Sequence, residues 1–194
     1  MAGVGAPVVW LTGPPAAGKS TLARLLERDL SAAKRRVAVL DGDEVRTTIS
    51  RDLGFSRRDR DENVRRVAAA ADGLSREGAL VIVALVSPYA RARDRARVRL
   101  GRRFIEVHVR ASLASRVERD PKGQYARAAS GELPNFTGLT GAYERPRSPE
   151  LEIDTDAESP ERSARRLLMV VAGRADARPP VGRRIGAATP AASR

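Results

Sequence analysis

Apolar positions along this chain fall into two alternating rhythms. Short runs in which nearly every residue is apolar read as strands buried on both faces. They are Val8–Thr12, Arg36–Leu40, Ala79–Val86, Phe104–Val109 and Leu151–Ile153. Between them, apolar residues recur three or four apart, the spacing of an amphipathic helix. Lys19 to about Ala33 carries Leu22, Leu25, Leu26 and Leu30 on one side. Glu44–Leu53 predicts a short helix that Gly54-Phe55 breaks. Ser56-Arg-Arg-Asp59 reads as a capping box opening a helix to about Glu77, with Val64, Val67, Ala68, Ala71 and Leu74 inward. Ala90–Arg103 alternates Arg with small or apolar residues, which suits a strand. Its Ala, Arg and Leu content and its place in the rhythm predict a helix instead. Ser112–Asp120 and Ser159–Ala172 are further helices, the second with Ala164, Leu167, Leu168 and Val171 inward. Strand and helix alternating in this way predict an α/β fold, an open parallel sheet with helices on both faces.

The rhythm stops in two places. Four glycines and four prolines interrupt residues 121–149, and a patternless stretch of that length in a compact domain reads as a lid. From Arg174 the Pro, Ala, Gly and Arg composition predicts a disordered tail, leaving 1–173 as one domain.

The first strand runs into Gly13-Pro14-Pro15-Ala16-Ala17-Gly18-Lys19-Ser20, which fits G-x-x-x-x-G-K-[ST]. In such a loop the glycines let the backbone turn tightly, so that successive N–H groups converge on a phosphate. Lys19 adds a point charge for the terminal phosphates, and the Ser20 hydroxyl suits Mg²⁺. The helix that begins there aims its positive end at the same point. A nucleotide binder is implied.

Composition narrows the class. The chain has 194 residues and no cysteine, so a disulfide framework and a thiolate metal site are excluded. No apolar run approaches the roughly 20 residues of a membrane span. Nor does a basic segment precede an apolar one at the N-terminus, and the expectation is a cytoplasmic protein without a membrane partner. The net charge of +12 invites a nucleic-acid reading, but only Lys19, Lys34 and Lys122 among the 36 basic residues are lysine. The stretch from Arg174 onward carries five Arg against one Asp. We therefore expect no nucleic-acid partner. With lysine this scarce, one in the phosphate loop is informative.

In an open parallel sheet, ligands bind beyond the carboxyl ends of the strands. Three segments belong there: the phosphate loop, Asp41-Gly42-Asp43 and Ser87-Pro88-Tyr89. The central strand ends in Ser87 without an acid, so Asp41 and Asp43 are expected to supply the negative charge near a Mg-nucleotide. Alternation along an extended stretch would send both carboxylates to one side. One would then serve the metal's water shell while the other accepts a proton from an attacking hydroxyl. Arg60 and Asn63 share a face of one helical turn. Arginine at a helix start opposes the helix dipole, a cost that an anionic ligand offsets. Phe55, Tyr89, Tyr125, Phe136 and Tyr143 lie in loops, where aromatic rings either anchor the loop or stack on a base. His108, in mid-strand, is assigned a structural role.

The ordered set of motifs resembles the adenylylsulfate kinases, P-loop kinases that use MgATP to phosphorylate the ribose 3′-hydroxyl of adenosine 5′-phosphosulfate. The resemblance spans about Trp10 to Asp154. It rests on Leu40-Asp-Gly-Asp-Glu-Val-Arg46, Leu53-Gly-Phe-Ser56, Asp59-Arg-Asp-Glu-Asn63, Ser87-Pro-Tyr89, Arg119-Asp-Pro-Lys-Gly123 and Asn135-Phe-Thr-Gly138. It implies that Gly13 to Thr21 hold the ATP phosphates and Mg²⁺, with Ser20 on the metal. It implies Asp43 as the base facing the 3′-hydroxyl, and Arg119 over the ATP base. Arg46, Arg60 and Asn63 would bind the phosphosulfate end, Phe55 and Phe136 would sandwich the substrate adenine, and Lys122 would approach the substrate's charge. Asp41 falls with these substrate-side residues. Ser87 matches a serine once considered for a phosphoenzyme in the family, although direct in-line transfer needs positioning more than a covalent relay. A homodimer is implied as well. The chain departs from the family pattern at Pro14-Pro15-Ala16-Ala17, at Glu44 in place of Asn and at Ala90 in place of Arg. The last two flank the substrate side, so a kinase of this fold with a different acceptor is the alternative.

Overall fold

The computed structural model describes residues 5–176. Five parallel strands form one sheet: β1 (Val8–Thr12), β2 (Val37–Asp41), β3 (Leu80–Leu85), β4 (Phe104–Arg110) and β5 (Leu151–Asp154), in the order β2-β3-β1-β4-β5. Every residue of β1 and β3 is buried, as the uninterrupted apolar runs require. Alternate side chains along the strands feed two cores. On one face Val9, Leu11, Ile82, Val107 and Ile153 meet Leu22, Ala23, Leu26 and Leu30 of α1 (Lys19–Ala32) and Leu167 and Val171 of α7 (Pro160–Asp176). On the other face Val8, Trp10, Val81 and Val83 meet Val64, Val67, Ala68 and Ala71 of α3 (Arg57–Arg76). Ala92, Ala96 and Leu100 of α4 (Ala90–Leu100) complete that core.

The predicted architecture holds, with local corrections. Glu44–Leu53 is not one helix: α2 spans only Gly42–Thr47, and turns follow. It starts earlier because the Asp41 carboxylate caps it, accepting from the Asp43 N–H at 3.0 Å. Asp41 ends β2 while Asp43 already lies in a helix, so the strand alternation expected to place both carboxylates together does not operate. The helix from Ala90 ends at Leu100, and a single 3₁₀ turn, Gly101–Arg103, leads into β4. The last helix runs to Asp176, past the expected Ala172. Of the tail read from Arg174, residues 177–194 lie outside the described part. No helix among the described residues is long and apolar enough to cross a membrane.

Residues 121–149, the stretch expected to be a lid, contain a helix of their own. After α5 (Leu113–Arg119), Gly123 at φ 60° starts α6 (Gln124–Ala129), and the Asp120 carboxylate accepts from the N–H groups of Gln124 at 2.9 Å and Tyr125 at 2.7 Å. Such a helix is too short to show a period, but Tyr125 and Ala128, three apart, are both buried.

A buried arginine fixes the lid's return to the sheet. Arg93 on α4 is 2% exposed; it pairs with Glu106 at 2.8 Å and donates to the carbonyls of Ser87 and Glu144, each at 2.7 Å. Arg97 closes the group by bridging Glu106 and Glu150. Removing one member of a buried ion pair strands its partner, at a cost of about 3–5 kcal/mol. Arg93→Met should therefore lower the thermal unfolding midpoint by about 6–20 °C for a domain of this size, read by calorimetry without nucleotide.

Candidate active site

The phosphate loop sits where the chain reverses its direction across the sheet, at the carboxyl end of β1. Gly13 is required by close approach, since a Cβ there would lie 2.1 Å from the Val109 carbonyl oxygen at the end of β4. Gly18 adopts φ 97°, the left-handed start of α1, and Ala16 at φ 56° shares that region. The turn thus leads directly into a helix N-terminus. Lys19 is 8% exposed and folds back over the loop, its Nζ donating to the Pro14 carbonyl at 2.7 Å. Ser20 Oγ donates to Asp41 Oδ2 at 2.6 Å, joining the first turn of α1 to the end of β2.

Burial dominates the charge of Lys19, lowering its pKa to about 8. Asp41 and Asp43 pull it back up, and the positive charge of Arg116 pushes it further down. The two carboxylates therefore offset only part of the cost of burying this cation.

A second wall faces the loop. Asp43 and Arg46, three residues apart, occupy the two ends of α2. Arg46 donates to the carbonyls of Leu53 at 3.1 Å and Gly54 at 2.7 Å, and its guanidinium lies 4.7 Å from the centre of the Phe55 ring. Arg60 donates to the Phe55 carbonyl at 2.9 Å, Thr137 Oγ1 at 2.9 Å and the Asn135 carbonyl at 3.2 Å. It thereby ties the Phe55 loop to the lid segment that carries Phe136. Burial lowers the pKa of both arginines, and Arg60 lowers that of Arg46 further. The Phe55 ring is 67% exposed, while Phe136 packs edge-on against Tyr125 at 4.9 Å. Asn63 is 6% exposed, and its buried Oδ1 has no partner among the described residues. Lys122, from the lid, pairs with the Asp43 carboxylate.

Other expected residues are placed more firmly in the scaffold. Ser87 is 4% exposed; its Oγ accepts from Trp10 Nε1 at 3.1 Å and donates to Thr12 Oγ1 at 2.8 Å. Thr12 passes the chain on to the Val86 carbonyl at 2.9 Å, with the Tyr143 hydroxyl 3.2 Å away. Arg119 donates to Thr155 Oγ1 at 2.8 Å, the Thr155 carbonyl at 3.0 Å and Asp156 Oδ1 at 3.2 Å. Thr155 Oγ1 in turn reaches the Ala17 carbonyl at 3.3 Å, so Arg119 braces the wall behind the loop. Glu44 is exposed, and the Ala90 N–H is taken by Glu144 Oε2 at 2.7 Å. His108 is 2% exposed, bonded to Glu152 at 2.9 Å and stacked on Tyr143 at 5.9 Å, a structural setting.

Sequence reasoning missed Thr155, Arg116 and the role of Tyr125. The Tyr125 hydroxyl donates to the Pro15 carbonyl at 3.0 Å, seating the lid on the phosphate loop. The spacing of Arg116 and Arg119 on one helical face was the available signal.

The charge of Lys19 gives a pH test. A folded pKa lowered to about 8 means that the ammonium is lost as pH rises through 8 in the free protein. A bound phosphate favours the ammonium, so binding above that pH must take up a proton. ATP affinity should fall about tenfold for each pH unit above 8, with proton uptake measurable by calorimetry in buffers of different ionisation enthalpy. Lys19→Arg, charged throughout, should bind with a flat profile over the same range.

Comparison with known proteins gives the family. A family model described as adenylylsulphate kinase matches residues 5–154. The chain is 46% identical over 160 residues to an adenylyl-sulfate kinase of Halothermothrix orenii, covering 82% of this chain and 86% of that protein. It is 47% identical over 161 residues to a probable bifunctional SAT/APS kinase of Sorangium cellulosum, of which it spans only 28%. Among solved structures, the Mycobacterium tuberculosis APS kinase CysC in complex with AMPPNP and APS superposes with a TM-score of 0.82 at 38% identity, covering 87% of this chain and 98% of that one. With a family model that covers most of the chain and relatives this similar, this chain is a member of the adenylylsulphate kinase family.

Proposed function

We propose that the chain transfers the γ-phosphoryl group of ATP to the 3′-hydroxyl of adenosine 5′-phosphosulfate, releasing ADP and 3′-phosphoadenylyl sulfate. One observation carries the reading. Helix α2 runs from the phosphate loop to the Phe55 loop, with Asp41 at its cap bonded to Ser20 and Arg46 at its far end beside Phe55. Asp43 stands between them.

In this reading the loop amides from Gly13 to Thr21 and the Lys19 ammonium hold the ATP phosphates. Ser20 and Asp41 offer hard oxygen donors 2.6 Å apart, and no group of three or more His, Cys, Asp or Glu among the described residues forms a metal cage. That donor set fits Mg²⁺, which keeps waters and substrate phosphates as ligands. Ser20 would hold the ion and Asp41 would orient it, and a bound Mg²⁺ would neutralise charge on the phosphates.

Arg46, Arg60 and Asn63 receive the phosphosulfate group of the second nucleotide, and Phe55 and Phe136 receive its adenine. Asp43 accepts the 3′-hydroxyl proton at its carboxylate as that oxygen bonds to the γ-phosphorus and the bond to the ADP oxygen breaks. Lys122 leaves Asp43 for the negative charge of the substrate. The Ser87 hydroxyl has a partner on each side, Trp10 and Thr12, which supports direct transfer without a phosphoserine. The lid, seated on Pro15 through Tyr125 and on Arg60 through Thr137, keeps water from competing with the acceptor.

The test is ADP release by the purified protein with ATP and Mg²⁺. We expect release to depend on adenylylsulfate and to match the formation of a 3′-phosphorylated product. Release that requires another acceptor, with adenylylsulfate inert, would overturn the assignment. Asp43→Asn should lower kcat by about 10²–10⁴-fold, with ATP affinity within about threefold of the parent.

A further inference from the structure

Arginine is the dominant cation of this chain, and the structure sorts its members by what they touch. Arg66, Arg93, Arg97, Arg103 and Arg166 are half-buried or buried, and each pairs with a carboxylate. Three other arginines withdrawn from solvent have none among the described residues: Arg46, Arg60 and Arg116. The first two line the acceptor wall. Arg116 is on α5 and was assigned no role.

Arg116 is the most buried of the three, at 9% exposed. Its Nε donates to the Ser112 carbonyl at 3.2 Å; one terminal nitrogen donates to the Tyr125 hydroxyl at 2.9 Å and the Gly138 carbonyl at 3.3 Å. All three acceptors are neutral. Tyr125 continues to the Pro15 carbonyl, and a Cβ on Gly138 would lie 2.6 Å from the Arg116 guanidinium and 3.1 Å from the Pro14 ring. Arg116 is therefore wedged between lid and phosphate loop, beside Pro14, whose carbonyl accepts from Lys19 Nζ at 2.7 Å. Lys19 and Arg116 are thus two buried cations whose direct hydrogen-bond acceptors are all neutral oxygens. Burying an unpaired charge is costly, and the cost is relieved when an anion arrives. A residue needed only to pin the lid would bond Tyr125 and Gly138 equally well without a charge.

We propose that Arg116 is a ligand of the terminal phosphates of ATP, gripping them from the lid side while Lys19 grips them from the loop side. The planar guanidinium suits that task, since it can hold phosphate oxygens with its free donors while keeping its bond to Tyr125. Nucleotide binding and lid seating are thereby joined in one side chain.

The inference rests on the reading of the loop as an ATP site, which ATP binding by the parent protein checks by itself. The experiment compares R116Q and Y125F with the parent by calorimetric titration with ATP, tripolyphosphate and adenylylsulfate. Gln keeps hydrogen-bond donors for the neutral acceptors and removes the charge. R116Q should weaken ATP and tripolyphosphate in similar proportion, by about 10–100-fold, and leave adenylylsulfate within about threefold. Y125F, which removes the lid latch and keeps the charge, should bind ATP within about threefold of the parent. The proposal is overturned if R116Q binds ATP like the parent, if it loses ATP and adenylylsulfate equally, or if Y125F reproduces its loss. Should R116Q fail to fold, R116K keeps the charge and loses the fork. ATP weakened by at least about fivefold with adenylylsulfate unchanged then supports the proposal, and parental ATP affinity overturns it.

Discussion

The site is organised around a buried cation at the phosphate loop. Lys19 is held where water is scarce, and burial brings its pKa down to about 8. The nearby carboxylates have other partners: Asp41 accepts from Ser20 and caps α2, and Asp43 pairs with Lys122. The loop's amides, its lysine and the positive end of α1 all face one point that the protein does not fill with its own acids. In the proposed function a polyphosphate supplies negative charge at that point.

The same logic divides the arginines between scaffold and site. Arg93, Glu106, Arg97 and Glu150 satisfy one another beneath the lid's return and fix its distance from the sheet. Arg46 and Arg60 bond to backbone carbonyls and a threonine hydroxyl, contacts that orient a guanidinium without neutralising it. In a chain this rich in arginine, composition cannot separate the two groups. The identity of the acceptor atom does.

The lid is where positioning and chemistry meet. It is held at Pro15 by Tyr125, at Arg60 by Thr137 and just beyond the end of β3 by Glu144, whose N–H donates to the Pro88 carbonyl at 2.8 Å. Each of these anchors is a polar bond, although Tyr125 and Thr137 are themselves buried. Bonds of that kind contribute about 1 kcal/mol each, few enough to break when nucleotides enter and leave.

Sequence alone determined the sheet, the two helical layers and the phosphate loop, because each is written in residues close in the chain. Apolar runs and three-to-four spacing are local signals, and Gly13 to Ser20 is a contiguous motif. The capping of α3 by Ser56 was legible for the same reason, with the Asp59 N–H donating to its hydroxyl at 3.1 Å. Tertiary structure decided the rest. Asp41 and Asp43 do not share a strand face, since a cap formed by Asp41 starts a helix one residue later than the strand ends. Residues 124–129 form a helix because Asp120 caps them and Tyr125 finds a place against Pro15, 110 positions away. Arg116 looked like any other arginine on an amphipathic helix until Gly138 and Tyr125 closed over it. Whether a charge is paired depends on partners far along the chain, and no local pattern records them.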